Sequence, residues 1–288
     1  MDSGPVALRP LATDDRAAAS VGRHARLELT FGRRGSRTVL THSYAEPPFR
    51  VGRVLPDGDG VHLILASSAP GIFGGDCLSQ SINVEPGARV RLTSQSAIQI
   101  HPNDTGTLAT LRAAYRVEAG GHLACEWDPL IPFADARFEQ RIQIDLAPSA
   151  TLVWSDALMA GREARGERWC FAHLSHELRL VRAQTLAYME RYTIAGDRIP
   201  DQRWTGDTAC YFGTVLVVGE QVDEGLAGRV HQSLAASEQL RGSADALKEG
   251  LLLARLAGRA GVSFHAARAA VVKACHGPRQ RVPHEREV

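Results

Sequence analysis

The strongest constraint on the fold is a local pattern that occurs three times between residues 82 and 156. Ile82-Asn83-Val84-Glu85-Pro86-Gly87-Ala88-Arg89-Val90-Arg91-Leu92 reads as a strand, a tight turn and a second strand. Tyr115 to Cys125 repeats it around Glu118-Ala119-Gly120-Gly121. Ile142 to Trp154 is a third copy, with an expected turn longer by about two residues. In each copy apolar and polar residues alternate at period two, so one face can be buried and the other wet. An acid (Glu85, Glu118, Asp145) stands before a Gly- or Pro-bearing turn, where those residues supply backbone angles that others resist. A recurring unit that cannot bury its apolar face alone implies stacking on its neighbours. The expected fold is mainly β, a stacked β-hairpin or β-helix-like single domain with a few C-terminal helices.

The rest of the chain supports this. His24 to Tyr44 reads as a first hairpin, and Phe49 to Val54 and Val61 to Ala66 as strands around a turn cluster at Pro56-Asp57-Gly58-Asp59-Gly60. Further strands are expected over Trp169–Leu180, Thr185–Ile194, Ala209–Val218 and Leu251–Leu256. Helices are expected over Gly225–Ala236, with Leu226, Val230 and Leu234 four apart, and from a capping Ser263 to Cys275. Residues 1–22 are small and polar, expected as a disordered tail; residues 23–276 form one domain and residues 277–288 a loose tail.

Composition removes several function classes. The formal net charge is +1, with arginines and acids interspersed, which argues against nucleic acid or an anionic membrane as partner. No apolar run approaches the roughly 20 residues that span a bilayer, and the N-terminus lacks a signal peptide's pattern. Five cysteines, odd in number and spread over the chain, suit reduced thiols in the cytoplasm. There is no phosphate-binding G-x-x-x-x-G-K-[ST], no dinucleotide glycine motif, no C-x-x-C, no H-E-x-x-H and no G-x-S-x-G.

The remaining polar features are acids at strand ends and turns: Asp76, Glu126, Asp128, Asp135, Asp156, Glu163 and Glu167. Carboxylates can hold divalent ions loosely or do acid–base work, and they equally serve as solvated turn residues and caps. His173 and His176 fall three apart in a strand, on opposite faces, which is poor geometry for one metal. Cys125 has the parity of a core residue. In Gly161-Arg162-Glu163-Ala164-Arg165-Gly166-Glu167 two glycines frame alternating charges. Either the backbone turns sharply around a local ion network, or the loop is a docking surface, and the two are compatible.

Gly74-Gly75-Asp76, Leu92-Thr93-Ser94-Gln95-Ser96-Ala97, Asp128-Pro129-Leu130-Ile131-Pro132-Phe133 and Gly161-Arg162-x-x-x-Gly166-Glu167 occur in series. In that order and spacing they resemble the urease accessory protein family UreD, also called UreH, over roughly Leu27 to Leu256. The resemblance implies a β-helix-like fold and a non-enzymatic cytoplasmic role. It implies assembly with UreF, the GTPase UreG and apo-urease, leaves room for a dimer within that complex, and implies help in placing nickel in the urease active site. Nickel would then be in transit through an internal route, no cofactor would be tightly bound, and GTP would be used by UreG. The chain departs from the family where Ile98-Gln99-Ile100-His101 stand in place of Thr-Gln followed by a basic and an aromatic residue.

On this reading Asp76, Glu126, Asp128, Asp135 and Asp156 are the candidate nickel path, and Arg162, Glu163 and Glu167 the candidate docking residues. Two other readings stand beside it. One is a carbohydrate-active enzyme using Glu126 with Asp128 or Asp156 across a groove, which side chains on opposite faces would remove. The other is a β-rich interaction module with no metal role.

Overall fold

The computed structural model describes residues 22–195, 209–247 and 250–275. The tails expected at residues 1–22 and 277–288 lie outside the described residues, Gly22 apart. The chain enters through two antiparallel hairpins, β1 (His24–Arg34) with β2 (Arg37–Ala45) and β3 (Phe49–Asp57) with β4 (Gly60–Ser67). It then winds through successive coils. β5 (Ile72–Phe73), β6 (Cys77–Val84), β7 (Arg89–Ser94) and β8 (Ile98–His101) lead into β9 (Ala109–Val117), β10 (His122–Glu126) and β11 (Leu130–Pro132). β12 (Arg137–Leu146) and β13 (Thr151–Met159) complete the winding.

The stacking expected from the repeats is present, but the two strands of each repeat do not pair with one another. β6, β9, β12 and β14 (His173–Arg182) run parallel in one sheet, while β4, β7, β10 and β13 run parallel in a second. Each unit is therefore an arc that carries the chain from one sheet to the other. Its hydrogen bonds go to the copies above and below. The turns stack too: Gly87 N–H donates to Ala119 O at 3.0 Å, and Gly120 N–H to Ser149 Oγ at 3.0 Å. The third turn is no longer than the others, since Glu85–Ala88, Glu118–Gly121 and Ala147–Ala150 all close with an i+3 N–H to i carbonyl bond. The extra residues belong to the longer strand β12.

Register turns this stacking into a core. Leu29, Ile82, Tyr115, Ile144 and Leu180 are successive partners across the first sheet, and all are buried. Leu63, Leu92, Cys125, Trp154 and Leu216 do the same across the second and face them. Burying both faces of that interlayer space is the main stabilising term, because apolar area leaves water on both sheets at once.

Antiparallel strands close the stack. β15 (Thr185–Ala195) edges the first sheet, and β16 (Tyr211–Val218), β18 (Leu251–Gly258) and β17 (Leu240–Leu247) extend the second. Two helices, α1 (Glu224–Ala235) and α2 (Gly261–Cys275), cover that sheet's outer face. Leu226, Val230 and Leu234 of α1, with Phe264, Val271 and Val272 of α2, share a core with Ala124, Val153, Val217 and Ala254. Asp223 caps α1 by accepting from Leu226 N–H at 2.6 Å. α2 begins two residues before Ser263, whose hydroxyl donates to Ala260 O instead of capping.

Candidate functional site

A third, narrow strip joins the two sheets: β5 pairs with β8, β8 with β11, and β11 with the end of β13. Where the strip diverges from the sheets, the interior opens into a cavity of about 910 Å³. Its wall includes Phe49 of β3 at one side of the stack and Arg241 of β17 at the other, so it extends across the layers.

Polar side chains enter this cavity at inward positions of otherwise apolar strands. Gln80 stands between Leu78 and Ile82, Gln140 between Phe138 and Ile142, and His176 between Leu174 and Leu178. His176 is buried, meets Gln140 Oε1 through Nδ1 at 3.1 Å and stacks on Tyr192 with ring centroids 5.0 Å apart. Glu190 accepts from Tyr188 Oη at 2.8 Å and pairs with Arg255 at 3.2 Å. Of these, the sequence singled out only His176, and only as half of a His173 pair ill placed for one metal; the others went unnamed. Their signal was one polar residue at an inward parity position, which is weak in a single strand and clearer when neighbouring strands share it.

Two of the five candidate path residues line the cavity. Asp156 accepts from Trp154 Nε1 at 2.9 Å, and burial pushes its carboxyl above the usual range despite His176 and Arg268 nearby. Asp128 and Ser94 bond reciprocally, Ser94 Oγ donating to Asp128 Oδ2 at 3.1 Å and accepting Asp128 N–H at 2.8 Å. The Arg268 guanidinium of α2 is buried beside Asp128, donating to Trp127 O at 2.6 Å and lying 4.0 Å from Asp128 Oδ1. Among the described residues no group of three His, Cys, Asp or Glu is placed to hold a metal ion. The acids lining the cavity, Asp128, Asp156 and Glu190, stand singly on different strands or loops.

The other three lie elsewhere. Glu126 has the parity of Ala124, which packs under the helices, whereas Asp156 has the parity of Trp154, which faces the other sheet. Glu126 and Asp156 thus occupy opposite faces, and the paired-acid enzyme reading loses that pair. Asp135 is exposed in a left-handed turn at φ 61°. Asp76 is buried, and its carboxylate accepts from Arg23 N–H, Nε and Nη2 and from Phe73 N–H.

Burial alone would raise the Asp76 carboxyl, but the Arg23 side chain and the two backbone donors outweigh it and hold it below the usual range. Its stabilising contribution is thus complete above the unfolded carboxyl's pKa of about 4 and is lost as pH falls through the lower folded value. Asp76→Asn is expected to cost about 2 kcal/mol at neutral pH, and less in acid, because the amide cannot accept all four donors. Chemical denaturation at pH 7 and pH 3 checks this, and equal losses at both would refute it.

The glycine-framed loop resolves toward an internal network. Gly166 turns at φ 73°, and at Gly161 (φ 123°) a Cβ would sit 2.1 Å from Glu167 O. Arg162 binds both carboxylate oxygens of Glu167, Nε to Oε2 at 2.7 Å, and holds that carboxyl below its usual range. The same guanidinium lies 3.7 Å over the Phe133 ring. Phe133 meets His101 edge-on, His101 stacks on Phe73, and Arg23 lies over Phe73. A column capped by arginines thus ties Asp76, His101, Phe133 and Glu167 segments together, and β8, where the chain departs from the resemblance, supplies its middle. Glu163 is exposed on this loop.

The family model described as UreD urease accessory protein matches residues 23–286. The chain belongs to that family. It is 31% identical to the urease accessory protein UreD of Haloarcula marismortui over 245 residues, covering 83% of this chain and 81% of the relative. It is 36% identical to that of Sorangium cellulosum over 178 residues and 38% identical to that of Trichodesmium erythraeum over 150 residues. These cover 62% and 50% of this chain and only about half of each relative, 55% and 54%. Its relatives are named as accessory proteins, and this UreD-family chain is an accessory protein. Among the described residues no helix is long and apolar enough to cross a membrane, and none of the five cysteines is in a disulfide.

Proposed function

We propose that the chain is a cytoplasmic scaffold in urease maturation, assembling with UreF, UreG and apo-urease and carrying nickel in transit to the urease active site. What supports this most is one observation beside the family membership. A cavity with carboxylates spaced singly along it extends across the whole stack of coils. Asp128 and Asp156 are the residues assigned to the ion, while Asp76 and Asp135 act as turn and packing residues. Glu126 stays outside the route. Nickel is cargo here, held by oxygen ligands that bind it less tightly than imidazole or thiolate, and GTP is consumed by UreG. Exposed Glu163 is the docking residue of the glycine-framed loop, with Arg162 and Glu167 shaping that loop. A tagged full-length chain made together with urease and the other accessory proteins is expected to retain apo-urease on purification. Urease absent from the eluate while the chain is present and folded would overturn the scaffold reading.

A further inference from the structure

We infer that the buried Arg268 guanidinium is a fixed counter-charge which keeps divalent-ion binding at Asp128 and Asp156 weak, so that an entering cation is passed on and not stored. The inference rests on the ion-route reading above. Arg268 projects from α2 into the outer face of the second sheet and is 8% exposed. Its Nη1 is anchored on the Trp127 carbonyl at 2.6 Å, the peptide that leads into Asp128. Its nearest carboxylate oxygen, Asp128 Oδ1, is 4.0 Å away, too far for the two-point pairing that arginine makes with a dedicated partner. Its charge is instead shared by Asp128, Asp156 and Glu126, each of which favours the charged guanidinium against the cost of its burial.

A guanidinium stays charged at any ordinary pH, so this compensation is permanent. Arg268 is not part of the cavity wall. Removing its charge therefore alters the field along the route without changing its width. A dication approaching Asp128 meets carboxylates already balanced by a cation inside a poorly screening interior, which lowers its net attraction.

The test measures binding of Ni²⁺ alone to the full chain by equilibrium dialysis, with circular dichroism as the fold check. Arg268→Gln, which keeps a donor for the Trp127 carbonyl, is expected to tighten nickel binding by about tenfold, within the range typical of coupling between charged sites. Arg268→Lys keeps the charge and is expected to bind within about twofold of wild type. A folded Gln variant that binds no tighter than wild type overturns the inference, since an arginine needed only to position Asp128 would lose affinity when replaced. If the Gln variant does not fold, the Lys variant decides, and tightened binding there overturns the inference. Failure of the route itself looks different: nickel binding would then be the same in wild type and in the variant with both Asp128 and Asp156 replaced by alanine.

Discussion

Urease from a host whose accessory chain carries Asp128→Ala and Asp156→Ala together is expected to accumulate as normal polypeptide and to be poor in nickel. Its activity should fall on the order of tenfold or more, the scale at which lost metal-site groups register. The deletion strain sets the floor of that measurement. Two substitutions are needed because the carboxylates stand on separate supports, Asp128 on Ser94 and Asp156 on Trp154, so either alone still offers an oxygen ligand.

Stability makes the experiment readable. Burial raises the Asp156 carboxyl, so the folded state holds its proton more tightly than the unfolded chain does. Stability therefore falls as pH rises through the ordinary carboxylate range, so at neutral pH the group counts against folding relative to acid. Alanine removes that penalty and forfeits one hydrogen bond to Trp154, about 1 kcal/mol in the other direction. Asp128→Ala adds a cost, because Ser94 and the buried Arg268 lose their acid, so a loss of nickel delivery greater than the loss of folded protein is the signature of groups kept for function. Full urease activity with the double variant present at wild-type level would exclude these acids from the route.

How much of this could be read in advance differs between fold and site. Period-two alternation states which face of a strand is buried, and the repeated acid-turn sequence states that the units recur. Neither states which strand supplies the hydrogen bonds, because Ile82–Val84 has the same pattern whether it pairs with Val90–Leu92 or with Tyr115–Val117. Only the closed stack, in which each copy needs a copy above and below, decides for arcs over hairpins.

The site was legible in part. Asp128 and Asp156 stood out as acids beside a repeat, and so did Asp76 and Asp135, yet the latter two answer local backbone donors or a turn. Gln140 and Glu190 were hidden, and the cavity role of His176 with them, because a polar residue in a strand reads as solvent-facing unless its register with the next strand is known. Arg268 was invisible for another reason: helix α2 meets the Trp127 carbonyl across 141 residues of sequence. The Arg162–Glu167 pair was foreseen as a local network, but the aromatic column that it caps joins four separate segments, which sequence spacing does not reveal.

Trp154→Ala is expected to destabilise the chain by about 3–5 kcal/mol, the usual range for losing a fully buried large aromatic. Trp154 is 1% exposed and sits in the central row of the second sheet between Cys125 and Leu216. Its ring meets Tyr115 edge-on at 5.2 Å and Trp127 at 6.2 Å, so both sheets and the cavity wall share it. Removing it leaves a void next to a cavity that already exists, and β13 is locked by a parallel ladder to β10 on one side and an antiparallel ladder to β16 on the other, so collapse to fill the gap is resisted. At about 2–4 °C per kcal/mol for chains approaching this size, the melting midpoint should drop by on the order of 10 °C. Trp154→Phe separates two contributions, because it keeps most of the packing and removes only the N–H that binds Asp156. It should cost about 1–2 kcal/mol. Denaturation followed by circular dichroism measures both. A Phe variant as damaged as the Ala variant would show that the Asp156 bond, and not the packed ring, holds the two sheets at this level.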